Sequence, residues 1–228
     1  MTPTLEDRYL HKKLREQLVE ELKQKGIVDE QVLEAIGNIP RHFFLDKAFD
    51  KIAYEDRAFP IEADQTISHP YTVAFQTQLL QIKKGDKILE IGTGSMYQTA
   101  ILATLGAHVY TIERQQALVD KTNQFKLLTA NKFENVFFFY GDGFLGLPKL
   151  APFDKIIITA AAPNVPEKLW EQLKVNGIMV IPVNETETSQ RMFRLTKKSN
   201  GMAKKETFEE FSFVPMLTGK GVNSVEKK

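Results

Sequence analysis

Three acids stand at the ends of three apolar runs: Glu90 in Ile88-Leu89-Glu90-Ile91, Glu113 in Tyr110-Thr111-Ile112-Glu113, and Asp142 just after Val136 to Tyr140. Glycines accompany them, with Gly92-Thr93-Gly94 directly after the first run and Gly141 and Gly143 around Asp142. Ionised carboxylates accept hydrogen bonds and attract cations. Glycine lets the backbone turn tightly and approach a ligand. A strand that runs into a glycine loop and then a helix, here from about Ser95, is the arrangement with which α/β folds hold adenosine-type ligands at the carboxyl ends of their strands.

The residue types narrow the ligand. A dinucleotide loop needs a third glycine, and counting from Gly92 that place holds Tyr97, whose side chain obstructs the close helix approach. Glu90 is also unfavourable beside a pyrophosphate but suits a ligand carrying an ammonium group. S-adenosyl-L-methionine has the ammonium and no phosphate, and is the expected cofactor. Gly92, Thr93 and Gly94 would form its loop. Glu113, at about the 20-residue offset where such folds place an acid on ribose hydroxyls, would hold the ribose. Asp142, beside Gly143, would accept from the adenine amine.

Short apolar runs alternating with helical stretches must position these groups. Ile88 to Ile91, Ala107 to Ile112, Val136 to Tyr140, Lys155 to Thr159 and Ile178 to Val183 read as strands. Helices fit at Tyr97 to Leu105, Gln115 to Ala130, near Leu145 to Lys149 and at Pro166 to Leu173. Strands without polar alternation, separated by helices, predict a doubly wound α/β domain with a parallel sheet covered on both faces. Met192 to Lys197 and Glu209 to Val214 alternate and predict a final antiparallel pair. Upstream, Leu10, Leu14, Leu18 and Leu22 predict one helical stripe, Asp29 caps a helix to Ile36 with Leu33 and Ile36 inward, and Val73 to Leu80 is helical again. Pro40 to Pro70 lacks periodicity, and such long irregular segments tend to be functional.

The chain has 228 residues, 43% hydrophobic, with 30 basic and 29 acidic residues. That supports a single domain over 1–228: an N-terminal helical and substrate-side part to 80, a cofactor core from 81 to 219 and a tail from 220. Met1 to Thr4 and Asn223 to Lys228 read as frayed ends. A net charge of +1 disfavours nucleic acid as a partner. The absence of cysteine removes disulfides and thiolate chemistry. No signal core or long apolar span is present, so a cytoplasmic monomer without membrane contact is the expectation.

Taken together, Ile39-Pro40-Arg41-His42-Phe43-Phe44, Ala53 to Ala58, Gln65-Thr66-Ile67-Ser68-His69-Pro70-Tyr71, Glu90 to Gln98, Ile112-Glu113-Arg114, Gly141-Asp142-Gly143, Ala151 to Asp154 and Phe213-Val214-Pro215 resemble the protein-L-isoaspartate O-methyltransferase family, in family order from about residue 30 to 219. The resemblance implies a Rossmann-like methyltransferase fold with a seven-stranded sheet, a C-terminal antiparallel hairpin and extra N-terminal helices. It also implies methyl transfer to the free carboxylate of L-isoaspartyl residues in damaged proteins, which starts their repair. Thr66, Ile67, Ser68 and Val214 resemble the family's substrate cradle.

Such chemistry needs no triad. A carboxylate of pKa near 4 is ionised at pH 7, so positioning is the main requirement. A hydroxyl serves better than an arginine, because strong hydrogen bonds would hold back the nucleophile. Ser68 is the expected catalytic hydroxyl.

The chain departs from the family pattern at Met96, Glu62, Asp64 and Asn184, where glycine is usual. Met96 is harmless if it points away from the ligand, whereas carboxylates at 62 and 64 would repel an anionic substrate. These departures leave two alternatives: a methyltransferase of this fold with another substrate, or a binding module that has lost activity. His42, His69 and His108 lack metal-site spacing and read as packed or surface residues, so no metal is expected. Phe137 to Tyr140 reads as a buried strand ahead of aromatic stacking on a base, Asp154 as helix or strand-edge architecture, and Arg41 and Arg57 as surface charge ahead of attraction for an acidic peptide.

Overall fold

A computed structural model of the chain describes residues 6–128, 133–186 and 189–221, with backbone alone for 124–128. The expected tails, and the end of the helix expected to reach Ala130, lie outside them.

The N-terminal part is helical. α1 (Tyr9–Gln24) buries His11, Arg15, Leu18 and Leu22, while Leu10 is 53% exposed. A strict four-residue spacing drifts around a helix of 3.6 residues per turn, so the leucine stripe leaves the core at its N-terminal end. α2 (Glu30–Asn38) starts at Asp29, whose side chain accepts from the Gln31 and Val32 amides, and buries Leu33 and Ile36. The irregular stretch that follows contains two short 3-10 turns and a small hairpin, β1 (Phe59–Pro60) with β2 (Thr66–Ile67). α3 (Pro70–Leu80) begins on a proline, which suits the first helical turn.

The rest is the expected doubly wound sheet: β3 (Lys87–Ile91), α4 (Tyr97–Thr104), β4 (His108–Glu113), α5 (Gln116–Leu128), β5 (Val136–Tyr140), β6 (Phe153–Ile158), α6 (Glu167–Gln172), β7 (Leu173–Asn184), β8 (Gln190–Lys197) and β9 (Ala203–Phe211). The order is β5-β4-β3-β6-β7-β8-β9. The first five strands of that order are parallel, and β8 and β9 are antiparallel to their neighbours. The chain winds outward from β3 in one direction and returns on its other side at β6, so β3 is the switch point beside which a ligand crevice opens.

Alternation places Ile88 of β3 in the core shared with α1 to α4, and Leu89 and Ile91 in a second core with α6. Asp154 accepts from the Lys87 amide and pairs with Lys174, as strand-edge architecture. Among the described residues no helix is long and apolar enough to cross a membrane.

Two expectations are corrected. The last strand lies at Ala203–Phe211 rather than Glu209 to Val214. Its start, Ala-Lys-Lys, is exposed on both faces at the sheet edge, where charge guards an open ladder and hides the two-residue period. Residues after Phe211 instead peel away toward β6. β5 is likewise an edge strand and not a buried one: Phe137 is 41% exposed.

Candidate active site

A cleft of about 830 Å³, counting its open mouth, lies at the carboxyl ends of β3, β4 and β6. Its walls bring together residues that the sequence separates widely: Thr66 and Ile67 of β2 with Ser68 just after it, Gly92, Thr93 and Gly94 after β3, Glu113 at the end of β4, Gly143, and Val214.

The glycine loop is shaped for close approach. Gly92 and Gly94 have φ of 98° and 52°. A Cβ on Gly92 would stand 2.5 Å from Thr159 Oγ1, and one on Gly143 would stand 2.5 Å from Ile91 Cγ2. Thr159, at the exit of β6, donates its hydroxyl to the Ile91 and Gly92 carbonyls at 2.9 Å and fixes the loop from beneath.

The three acids are placed differently. Glu113 is on the wall and accepts from the Gly94 and Gln115 amides at 2.9 and 2.8 Å. Burial pushes its carboxyl up, against the pull of those amides. Glu90 does not line the cleft. It lies under the loop on the α4 side, 0% exposed, accepting from the Thr99 hydroxyl at 2.5 Å, and its Oε1 has no partner among the described residues. Desolvation pushes it up to about 8. Asp142 is one residue off the wall, where it caps a 3-10 turn through the Phe144 amide and accepts from the Gly219 amide at 2.8 Å.

The acceptor side is built from the β1–β2 hairpin and the segment after β9. Ala161 donates to the Val214 carbonyl at 2.8 Å, and Met216 donates back to Ala161, which seats the C-terminal segment over β6. Ala63 and Asp64 form the hairpin turn with φ of 59° and 56°. Side chains there are strained, which is why glycine suits this turn. Glu62 is paired with Lys121 on α5 at 2.7 Å, so its charge is neutralised locally. Met96 has φ of 74° and is buried in the apolar core at the start of α4, away from the cleft wall. Asn184 ends β7 and donates its amide to the Ala162 carbonyl.

Arg41 corrects an expectation: it is fully buried, not surface charge, because three backbone carbonyls from two segments converge on it. Arg57 is exposed and pairs with Glu55. His42 is packed against His11, His69 precedes α3, and His108 is exposed. Asp7, His11 and His42 come within 4.8 Å of one another, but both Asp7 oxygens are held by Arg15.

Sequence reasoning missed several wall residues. Thr159 was open to discovery, since it ends a strand at the ligand edge. Tyr97 and Gln98 line the cleft with Tyr97 Oη and Gln98 Oε1 buried and unpartnered among the described residues. Met216 and Leu217 arrive from the C-terminal segment, with no local signal.

A family model described as protein-L-isoaspartate(D-aspartate) O-methyltransferase matches residues 12–221. The chain is 54% identical over 216 residues to the protein-L-isoaspartate O-methyltransferase of Christiangramia forsetii, covering 95% of this chain and all of that protein. It is 46% identical over 208 residues to that of Dictyoglomus thermophilum, covering 91% and 92%. Among solved structures, it resembles a Plasmodium falciparum protein-L-isoaspartate O-methyltransferase in complex with S-adenosyl-L-homocysteine, with a TM-score of 0.77, 27% identity, and coverage of 89% of this chain and 98% of that one.

Proposed function

Because the chain belongs to the protein-L-isoaspartate(D-aspartate) O-methyltransferase family, we propose that its cleft transfers a methyl group from S-adenosyl-L-methionine to the free carboxylate of L-isoaspartyl residues in damaged proteins. The observation that carries this reading is the meeting of Thr66 to Ser68 and Val214 with Gly92 to Gly94 and Glu113 around one cavity.

The residues fit the cofactor. Gly92 and Gly94 turn the loop through positive φ at the cleft wall, and Tyr97 Oη and Gln98 Oε1, buried and unpartnered among the described residues, are polar atoms on that wall for a ligand to satisfy. Glu113 would hold the ribose, because a carboxylate oxygen that already accepts an amide keeps a second lone pair for a hydroxyl. Asp142 has the same spare capacity for the adenine amine, next to Gly143 on the wall. The cofactor supplies an electrophilic methyl on a sulfonium.

The chain's own part is positioning and exclusion of water. The substrate carboxylate arrives ionised, so no base is needed. Ser68 would orient it with one hydrogen bond, while the buried Ile67 and the Val214 segment keep the acceptor side dry. Two of the departures from the family pattern do not obstruct this arrangement: Met96 is in the core, and Glu62 is paired.

The test is incubation with labelled S-adenosyl-L-methionine and paired peptides carrying aspartyl or L-isoaspartyl at one site. Label is expected in the isoaspartyl peptide alone. Label in neither, with the cofactor bound, would reject catalysis, and label on an unrelated acceptor would reject the substrate.

A further inference from the structure

The acceptor loop rests on a buried cation. Arg41, in the 3-10 turn Arg41–Phe44, donates from Nε to the Ala53 carbonyl at 3.0 Å and from Nη2 to the Ser68 carbonyl at 2.7 Å, with a longer contact to the Arg57 carbonyl at 3.4 Å. Its guanidinium lies 4.9 Å from the centre of the Tyr97 ring, at the first residue of α4. One side chain therefore ties the loop bearing Ser68 to the segment 53–57 and to the helix that follows the glycine loop.

A buried charge ordinarily requires a paired acid. Arg41 forms no ion pair with a described residue, and its Nη1 has no partner among them. Asp56, which favours its charged form, is itself engaged by the Tyr71 amide and by Lys25. Burial lowers Arg41 only to about 10, so the charge persists at neutral pH. Any architectural gain from three carbonyls could be had from a neutral donor. A retained, unpaired positive charge directly behind Ser68 instead favours an anion in front of it. It does so through the backbone, without the direct ionic hydrogen bond that would hold back the nucleophile.

We propose that Arg41 is a positioning residue for methyl acceptance: it presents Ser68 at a set distance from the cofactor helix and makes the acceptor loop selective for a carboxylate. The proposal rests on the transfer reading above, so wild-type transfer to isoaspartyl but not aspartyl peptide is established first. If that fails, the function fails, irrespective of Arg41.

The variants are then R41K, which keeps the charge and loses the planar fork, and R41Q, which loses the charge. Expected are a fall in kcat/KM for the isoaspartyl peptide of tenfold or more in R41K, carried mainly by KM, and a larger fall in R41Q. Calorimetric Kd for S-adenosyl-L-homocysteine should stay within threefold in both. A smaller fall, equal values in the two variants, or a loss of cofactor affinity matching the loss of kcat/KM would overturn the proposal. Should the variants fail to fold, the Arg41 side-chain NMR signals of the wild-type complex with S-adenosyl-L-homocysteine decide. A shift on adding isoaspartyl peptide is expected, and no shift overturns the proposal.

Discussion

Glu62, at the tip of the β1–β2 hairpin, and Lys121, on α5, form an ion pair at 2.7 Å that joins the acceptor hairpin to the helix following Glu113. Both are about half exposed, so the pair adds no more than about 1 kcal/mol to stability. Its electrostatic consequence is to offset a carboxylate on the hairpin that leads into the acceptor loop. Glu62→Gln should therefore leave KM for isoaspartyl peptide within about twofold. Lys121→Ala should raise it by about three- to fivefold at low salt, the equivalent of roughly 1 kcal/mol of unscreened repulsion. The effect should vanish in high salt and in the double variant. An unchanged KM in Lys121→Ala would show that Glu62 does not act on the substrate.

Met96 is held in a left-handed conformation that costs an L residue about 1–2 kcal/mol. Its buried side chain returns more than that, since truncating a core methionine costs about 2–5 kcal/mol. Met96→Gly should thus lower unfolding stability by about 1–3 kcal/mol despite relieving the backbone. S-adenosyl-L-homocysteine affinity should change by less than about threefold. Denaturant titration and calorimetry check both, and a stabilised variant would mean that backbone strain outweighs burial at this position.

Glu90 is raised from an ordinary 4.5 to about 8 by desolvation. Between those values the folded protein holds a proton that the unfolded chain has released, so stability falls as pH rises from about 4.5 to about 8 and levels off above. Glu90→Gln lacks this slope. Relative to the wild type it should gain stability across that window, by an amount on the order of a few kcal/mol. Melting curves of both proteins at several pH values check this, and a difference independent of pH would refute it.

Ser68→Ala should lower kcat/KM for isoaspartyl peptide by about 10- to 100-fold, the value of a hydrogen bond to a charged group. Cofactor affinity should be nearly unchanged. Full turnover in this variant would remove Ser68 from catalysis.

The sequence by itself determined the elements and the ligand loop. Ile88 to Gly94 is read from neighbours alone, because strand period, glycine freedom and a following helix are local properties of the backbone. Asp29 as a cap and the positions of the parallel strands were legible for the same reason. Where solvent reached both faces, as at Ala203 to Lys205, the period that marks a strand was missing and the boundary was misplaced.

Tertiary structure alone decided the environment of each charge. Nothing near Arg41 announces that the carbonyls of Ala53 and Ser68 will enclose it, and nothing near Glu62 announces Lys121, 59 residues away. Glu90 and Glu113 look alike as acids at strand ends, yet one is beneath the loop and the other on the cleft wall. The orientation of Met96 was settled in the same way, by an apolar core assembled from helices far apart in the chain. The cost of an ion or a strained backbone depends on what packs around it, and that is fixed only when distant segments meet.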